Sequence, residues 1–167
     1  MGKRGFSLIE LIIVIGLIAI MLSLATIEFG TWQRKSIVER YTKELYSDIQ
    51  DARMKAAFTK RVQRLEFGAQ QVVFRSFSSA GDVAGTIVST KRFPLAFTRN
   101  LSDSPAPADL VDFDTRGIMS SPIVQVICFT TTVDAAYDAL IITPALTSMG
   151  KVTNRGNACA RTNVTQK

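Results

Sequence analysis

The sequence predicts an α+β chain: one long N-terminal helix, its first half apolar and its second half amphipathic, packed on an antiparallel β-sheet of about five to seven strands. Three observations predict it. Residues 6–27 are an apolar run with a single charge, Glu10. The polar stretch after it keeps a helical repeat to about Lys60. From Val62 the repeat shortens towards two, and turn residues punctuate the chain. The 167 residues suit one domain plus the N-terminal segment. With 47% hydrophobic and 20% charged residues, the chain is neither disordered nor a coiled coil.

As a helix, residues 6–27 measure ~33 Å, enough for a hydrocarbon core of ~30 Å. Lys3 and Arg4 precede the run, which keeps that end cytoplasmic and sends the remainder outwards, to the periplasm in a bacterium with two membranes. The run exceeds the ~7–15 apolar residues of a cleaved secretory signal, and no clear small-x-small site ends it. The small residue that stands out, Gly5, lies before the run.

Glu10 admits two readings. An acid in a membrane helix costs ~2.5–3.5 kcal/mol at the bilayer centre and less near an interface, where it simply reaches water. Alternatively, a cut between Gly5 and Phe6 creates an α-amine on Phe6. Glu10 follows one helical turn later on the same face, where it can compensate that amine on its own or a neighbouring chain.

Beyond Ile27, the apolar residues Val38, Tyr41, Leu45, Ile49, Ala52 and Ala56 are spaced 3, 4, 4, 3 and 4. Charged residues fill the other faces, so the stripe packs on a sheet. No proline interrupts residues 6–93, and Gly30 is the candidate kink. One helix of ~80 Å is expected from Phe6 to about Lys60. Leu65 and Phe67 alternate with Arg64 and Glu66, and Gly68-Ala69 turns the chain into a strand over 71–77. Residues 78–82 form a loop, with strands expected at 86–89 and 92–98 and an irregular loop at 100–109. A short strand at 110–113 ends at Thr115-Arg116-Gly117. The strongest strand runs from Ile123 to Thr131, and Leu140-Ile141-Ile142 is stopped by Pro144.

The composition leans away from catalysis. Histidine is absent, which removes imidazole bases, Ser-His and Cys-His pairs and most catalytic zinc sites. Gly81-x-x-x-Gly85 lacks the lysine and the strand-to-helix context of a phosphate loop. Asp103, Asp109, Asp112 and Asp114 read as a solvated acidic loop rather than a calcium or hydrolytic site. No catalytic residue, metal, cofactor or small-molecule substrate is expected. Cys128 and Cys159 form a disulfide in an oxidising compartment, worth ~3–4 kcal/mol by loop closure, or else leave a buried and an exposed thiol.

Lys3-Arg4-Gly5-Phe6-Ser7-Leu8-Ile9-Glu10 closely resembles the class III signal of type IV pilins and type II secretion pseudopilins. The resemblance implies a leader at 1–5, cleavage at Gly5–Phe6 by a prepilin peptidase that also methylates the Phe6 amine, and a role for Glu10 in docking the subunit into a filament. Residues 6–27 become the transmembrane and filament-core helix, 28–60 its amphipathic continuation and 61–167 a periplasmic β-rich domain. The apolar run lacks the late proline of many major pilins. Three further segments are similar to the GspH/FimT class of minor pilins: Asp48 to Arg53 with Ala56-Ala57, Val111 to Gly117, and Leu140-Ile141-Ile142 followed by Gly150-Lys151-Val152.

The implied function is structural: a minor subunit that initiates or caps a type IV pilus or a type II secretion pseudopilus, with other pilin subunits, the peptidase and the inner membrane as partners. An alternative is a filament-exposed subunit that binds DNA during uptake; a third is a single-pass anchored protein that never polymerises. The net charge is +6, and cutting away Lys3 and Arg4 leaves +4. From Ala145 onwards the chain has Lys151, Arg155, Arg161 and Lys167 and no acid, a candidate phosphate-binding tail. Asn154, Asn157, Thr162 and Asn163 add neutral donors. The competing reading is a solvated basic tail near an acidic partner or lipid head groups.

Overall fold

The computed structural model describes residues 7–79, 81–101, 110–156 and 159–166, with the backbone alone for residues 24–28 and Leu101. One helix, α1 (Leu8–Thr59), is followed by nine strands among these residues. They are β1 (Gln63–Phe67), β2 (Gln71–Ser76), β3 (Thr86–Arg92), β4 (Phe97–Leu101), β5 (Leu110–Phe113), β6 (Gln125–Phe129), β7 (Ala139–Ile142), β8 (Thr147–Val152) and β9 (Val164–Gln166). The α+β architecture is the expected one, but the strands divide between two antiparallel sheets. The first has the order β3-β2-β1-β5 and the second β4-β6-β7-β8-β9.

α1 has 52 residues and runs unbroken through Gly30, so the expected kink does not interrupt it. A Cβ at Gly30 would meet nothing within 4 Å, so no packing there demands a bend. The helix stops at Lys60, which turns into the left-handed region at φ 54°. Val38, Leu45, Ile49, Ala52 and Ala56 are all buried, as their spacing requires. Tyr41 is only half-buried and meets Phe93 edge-on at 6.0 Å. Its neighbour Thr42 is the fully buried residue, because its hydroxyl donates to the carbonyls of Val38 (2.9 Å) and Tyr137 (3.3 Å). A satisfied hydroxyl can enter a core that a tyrosine would overfill.

The first sheet shows the alternation of a half-covered sheet. In β1, Gln63, Leu65 and Phe67 are buried while Arg64 and Glu66 face outwards. Leu65 stands opposite Phe74 and Val111, placing all three against α1. The second sheet is different: β6 and β7 are buried at every position. Ile127, Leu140 and Ile142 face the main core, whereas Val126, Cys128, Ala139 and Ile141 face a second cluster closed by Val152 and Val164. Burial on both faces explains why Val-Ile-Cys-Phe and Ala-Leu-Ile-Ile are continuous apolar runs.

Two departures in the strands have clear causes. The strand expected at 92–98 is broken: β3 ends at Arg92 and β4 begins at Phe97, with Pro94 between them in a stretch that crosses from one sheet to the other. Phe67, Phe93, Phe97 and Phe129 line that crossing with ring centroids 5.7–6.2 Å apart, mostly edge to face. The C-terminal segment is not a free tail but supplies β8 and β9. β8 has weak strand propensity, yet Ala139 pairs with Gly150 and Ile142 with Thr147. A Cβ on Gly150 would approach Val164 Cγ1 to 2.6 Å, so a side chain there would push β9 away.

Candidate functional site

The N-terminal half of α1 presents a surface that its own chain leaves uncovered. Leu8, Ile9, Leu11, Ile12, Ile13, Ile15, Leu17, Ile20, Met21 and Leu22 are each more than half exposed. A helix apolar all round is stable only when something apolar surrounds it. Among the described residues no helical stretch is long and apolar enough to cross a membrane. The described side chains of the apolar run end at Ser23, and those of residues 24–28 lie outside the description.

Glu10 sits in the first turn of α1, exposed between Ile9 and Leu11. Ser7 is the N-cap residue in extended backbone without a side-chain cap, and its carbonyl accepts from the backbone N–H groups of Glu10 and Leu11. The carboxylate therefore lies beside a helix N-terminus whose amides favour negative charge. Gly5 and Phe6, the expected cleavage and methylation positions, lie outside the described residues.

Arg53, a residue that the stripe of apolar positions gave no reason to single out, is where α1 locks to both sheets. Its guanidinium donates to the carbonyls of Thr143 (3.2 Å) and Pro144 (3.5 Å) and to Thr147 Oγ1 (3.3 Å), and it lies 5.0 Å from the Phe113 ring centroid. Burial pulls its pKa below the ordinary guanidinium range. Gly117 approaches from the other side. Its φ is +78°, and a Cβ would stand 2.8 Å from the Arg53 carbonyl oxygen. The late-helix segment, the turn after β5 and the β7–β8 region thus converge on one residue.

The acids of the expected loop have structural uses where they are described. Asp112 forms a bidentate pair with Arg64 at 2.7 and 2.9 Å. Asp114 closes the 114–118 turn by accepting from the backbone of Arg116 and Ile118. Asp103 and Asp109 lie outside the described residues.

Cys128 and Cys159 are bonded, with their Cα atoms 5.9 Å apart. The bridge ties the segment before β9 to the outer face of the second sheet. Among the described residues, the candidate basic residues do not gather into one free patch. Lys151 pairs with Asp134 at 3.0 Å. Arg155 bonds Asp134 at 3.0 Å and the fully buried Asp138 at 2.7 Å. Burial opposes the charge on Arg155, but the hydrogen bonds to both acids outweigh it and hold the pKa above its ordinary value. Arg161 donates to the Val164 carbonyl at 3.0 Å, and Lys167 lies outside the described residues. Of the candidate neutral donors, Asn163 spends its side chain on the Asn154 backbone, accepting from its N–H at 2.9 Å and donating to its carbonyl at 2.7 Å; Asn157 is outside the description. Asp134 and Asp138 precede the acid-free stretch, so a count along the tail could not see them.

Residues 1–26 match the family described as the prokaryotic N-terminal methylation motif. No curated protein matches the chain in sequence. Among solved structures, the chain is similar to the crystal structure of the type IV minor pilin FimU of Pseudomonas aeruginosa, at 11% identity and a TM-score of 0.47, over 81% of this chain and 92% of that one. Residues 1–26 of this chain carry the methylation motif, and the uncovered apolar stretch from Leu8 to Leu22 lies within it.

Proposed function

We propose that this chain is a minor pilin or pseudopilin, a structural subunit of a type IV pilus or a type II secretion pseudopilus, and that it is not an enzyme. The observation that carries this reading is the N-terminal half of α1: a methylation motif over residues 1–26 that takes in apolar side chains exposed on every face and one carboxylate in the first turn. In this proposal a prepilin peptidase removes residues 1–5 and methylates the Phe6 amine. Residues 6–27 first hold the subunit in the inner membrane with the β-rich domain in the periplasm. The same residues then pack among the helices of neighbouring subunits. Both environments cover apolar surface on all sides, which the folded domain does not.

Glu10 supplies the specificity. Surrounded by apolar side chains, its charge is best compensated by the α-amine of Phe6 on its own or an adjoining subunit. The mature chain should therefore begin at Phe6, and intact-mass measurement of the membrane-extracted protein checks it. A chain that retains Met1 sinks the proposal, and Gly5→Leu should block the cut.

The DNA-binding alternative has less support than the tail's sequence offered. Lys151 and Arg155 face acids in their own chain, which leaves Arg161 and Lys167 to test. Arg155 is unsuited to such a test, because its loss would strand the buried Asp138.

A further inference from the structure

We propose that Phe29, Trp32, Arg34 and Lys35 form a collar that seats in the head-group layer of a lipid bilayer and fixes how deeply α1 is inserted before assembly. The inference rests on the reading that residues 6–27 span a membrane, and it adds a site at which lipid itself is recognised.

Phe29 and Trp32 are 61% and 63% exposed, although both are large and mostly apolar. Their rings lie one turn apart with centroids 5.9 Å from each other, so they form one aromatic surface. The domain cannot cover that surface. At about 100° per residue, Phe29 points about 180° and Trp32 about 120° away from Val38, where the buried stripe begins. Both rings therefore leave α1 on sides turned from the sheets.

The order of chemistry along the helix selects the occupant. If Leu8 stands at one edge of the hydrocarbon, Phe29 lies ~32 Å along α1 and Trp32 ~36 Å, past the far edge of a ~30 Å core and within the ~5–8 Å that the head-group layer on that side adds. Arg34 and Lys35 follow at ~39–41 Å, just outside that layer, where their long side chains reach back to the lipid phosphates. The apolar run, Glu28 at the hydrocarbon edge, the aromatic pair and then the cations follow the order of environments met on leaving a bilayer. Arg34 is exposed and Lys35 half-exposed, so their charged ends can reach phosphate oxygens while their stems lie along the helix. A second protein chain would match the aromatic pair, but nothing about it would require the cations to follow at this height.

Trp32 is the chain's one tryptophan, so its fluorescence reports on the collar alone. The test places the full chain in phosphatidylcholine–phosphatidylglycerol vesicles at high lipid excess, so that copies rarely meet. The lipids carry bromine either near the head-group end of the acyl chain or near its terminal methyl. The expected result is quenching about two-fold stronger from the head-group end, with little quenching by iodide in the water. Equal quenching from both positions, dominant quenching by iodide, or shielding that appears only when chains are crowded would overturn the collar while leaving the membrane reading intact. A chain that does not float with the vesicles overturns both.

Discussion

The two halves of α1 belong to one continuous helix yet live by opposite rules. Between Val38 and Ala56 an apolar stripe is buried by the chain's own sheets, and Leu45 and Ile49 have no exposed surface. Between Leu8 and Leu22 apolar residues fill every face, and Leu11 remains 54% exposed. The difference teaches that the second half is a folding element, whereas the first is left uncovered by the chain's own domain. A stripe needs one neighbour, which the chain's own sheets supply; a cylinder needs neighbours all round, which the folded domain does not supply.

The largest break in this comparison is expected from Glu10→Ala. The variant should insert in the membrane and keep the melting temperature of its domain, yet be lost from sheared filaments. Normal incorporation would sink the pairing of Glu10 with the Phe6 amine. Next comes a matched pair of leucines on the same helix. Leu45→Ala should cost about 2–5 kcal/mol in chemical denaturation, because it leaves a cavity in the core. Leu11→Ala should change that stability by no more than about 0.5 kcal/mol. Equal costs would mean that the two halves do not differ as described.

Arg155→Gln sharpens the comparison from the domain side. It leaves the buried Asp138 with the Val152 amide at 2.7 Å but no cation. A cost of about 3 kcal/mol is expected, near the low end for breaking a buried pair because Arg155 is partly exposed. An unchanged denaturation midpoint would show that the pair is not needed. The smallest effect concerns pH. Backbone amides of Ser78 and Gly85 hold Asp82 below the usual carboxylate range, and Lys151 and Arg155 do the same to Asp134. For Asp114 burial acts upwards, but the amides of Ile118 and Arg116 and the Arg116 side chain prevail and lower it. Groups depressed in the folded state stabilise it above their unfolded value, about 3.9, and that contribution disappears as pH falls through the folded values. With no histidine in the chain, domain stability should stay nearly level between about pH 5 and 8 and fall below about pH 4. A marked transition near pH 6 would contradict this.

Legibility in the sequence tracked how local each cause was. The helix was readable because its repeat runs over 52 residues, and the apolar runs at 125–129 and 139–142 were readable because burial on both faces leaves no polar gaps. Thr42 was not picked out beside Tyr41 because a threonine enters the core only when a carbonyl, here Tyr137, stands ready for its hydroxyl. β8 was missed since pairing with β7, rather than propensity, makes it a strand. Arg53 stood within the quoted Asp48–Arg53 segment, but its role was not readable because its carbonyl partners lie some ninety residues further on.

The sequence by itself determined the long helix, the change from a cylinder to a stripe, the methylation motif and the carboxylate one turn beyond Phe6. These depend on neighbours in the chain and on periods of a few residues, which the order of residues states directly. Only the tertiary structure decided that the strands split into two sheets, that Arg53 gathers two distant segments, and that Lys151 and Arg155 meet acids before they can meet a polyanion. Those outcomes depend on which distant groups come within hydrogen-bond reach, and electrostatic partners, unlike apolar periods, leave no spacing in the chain to be read.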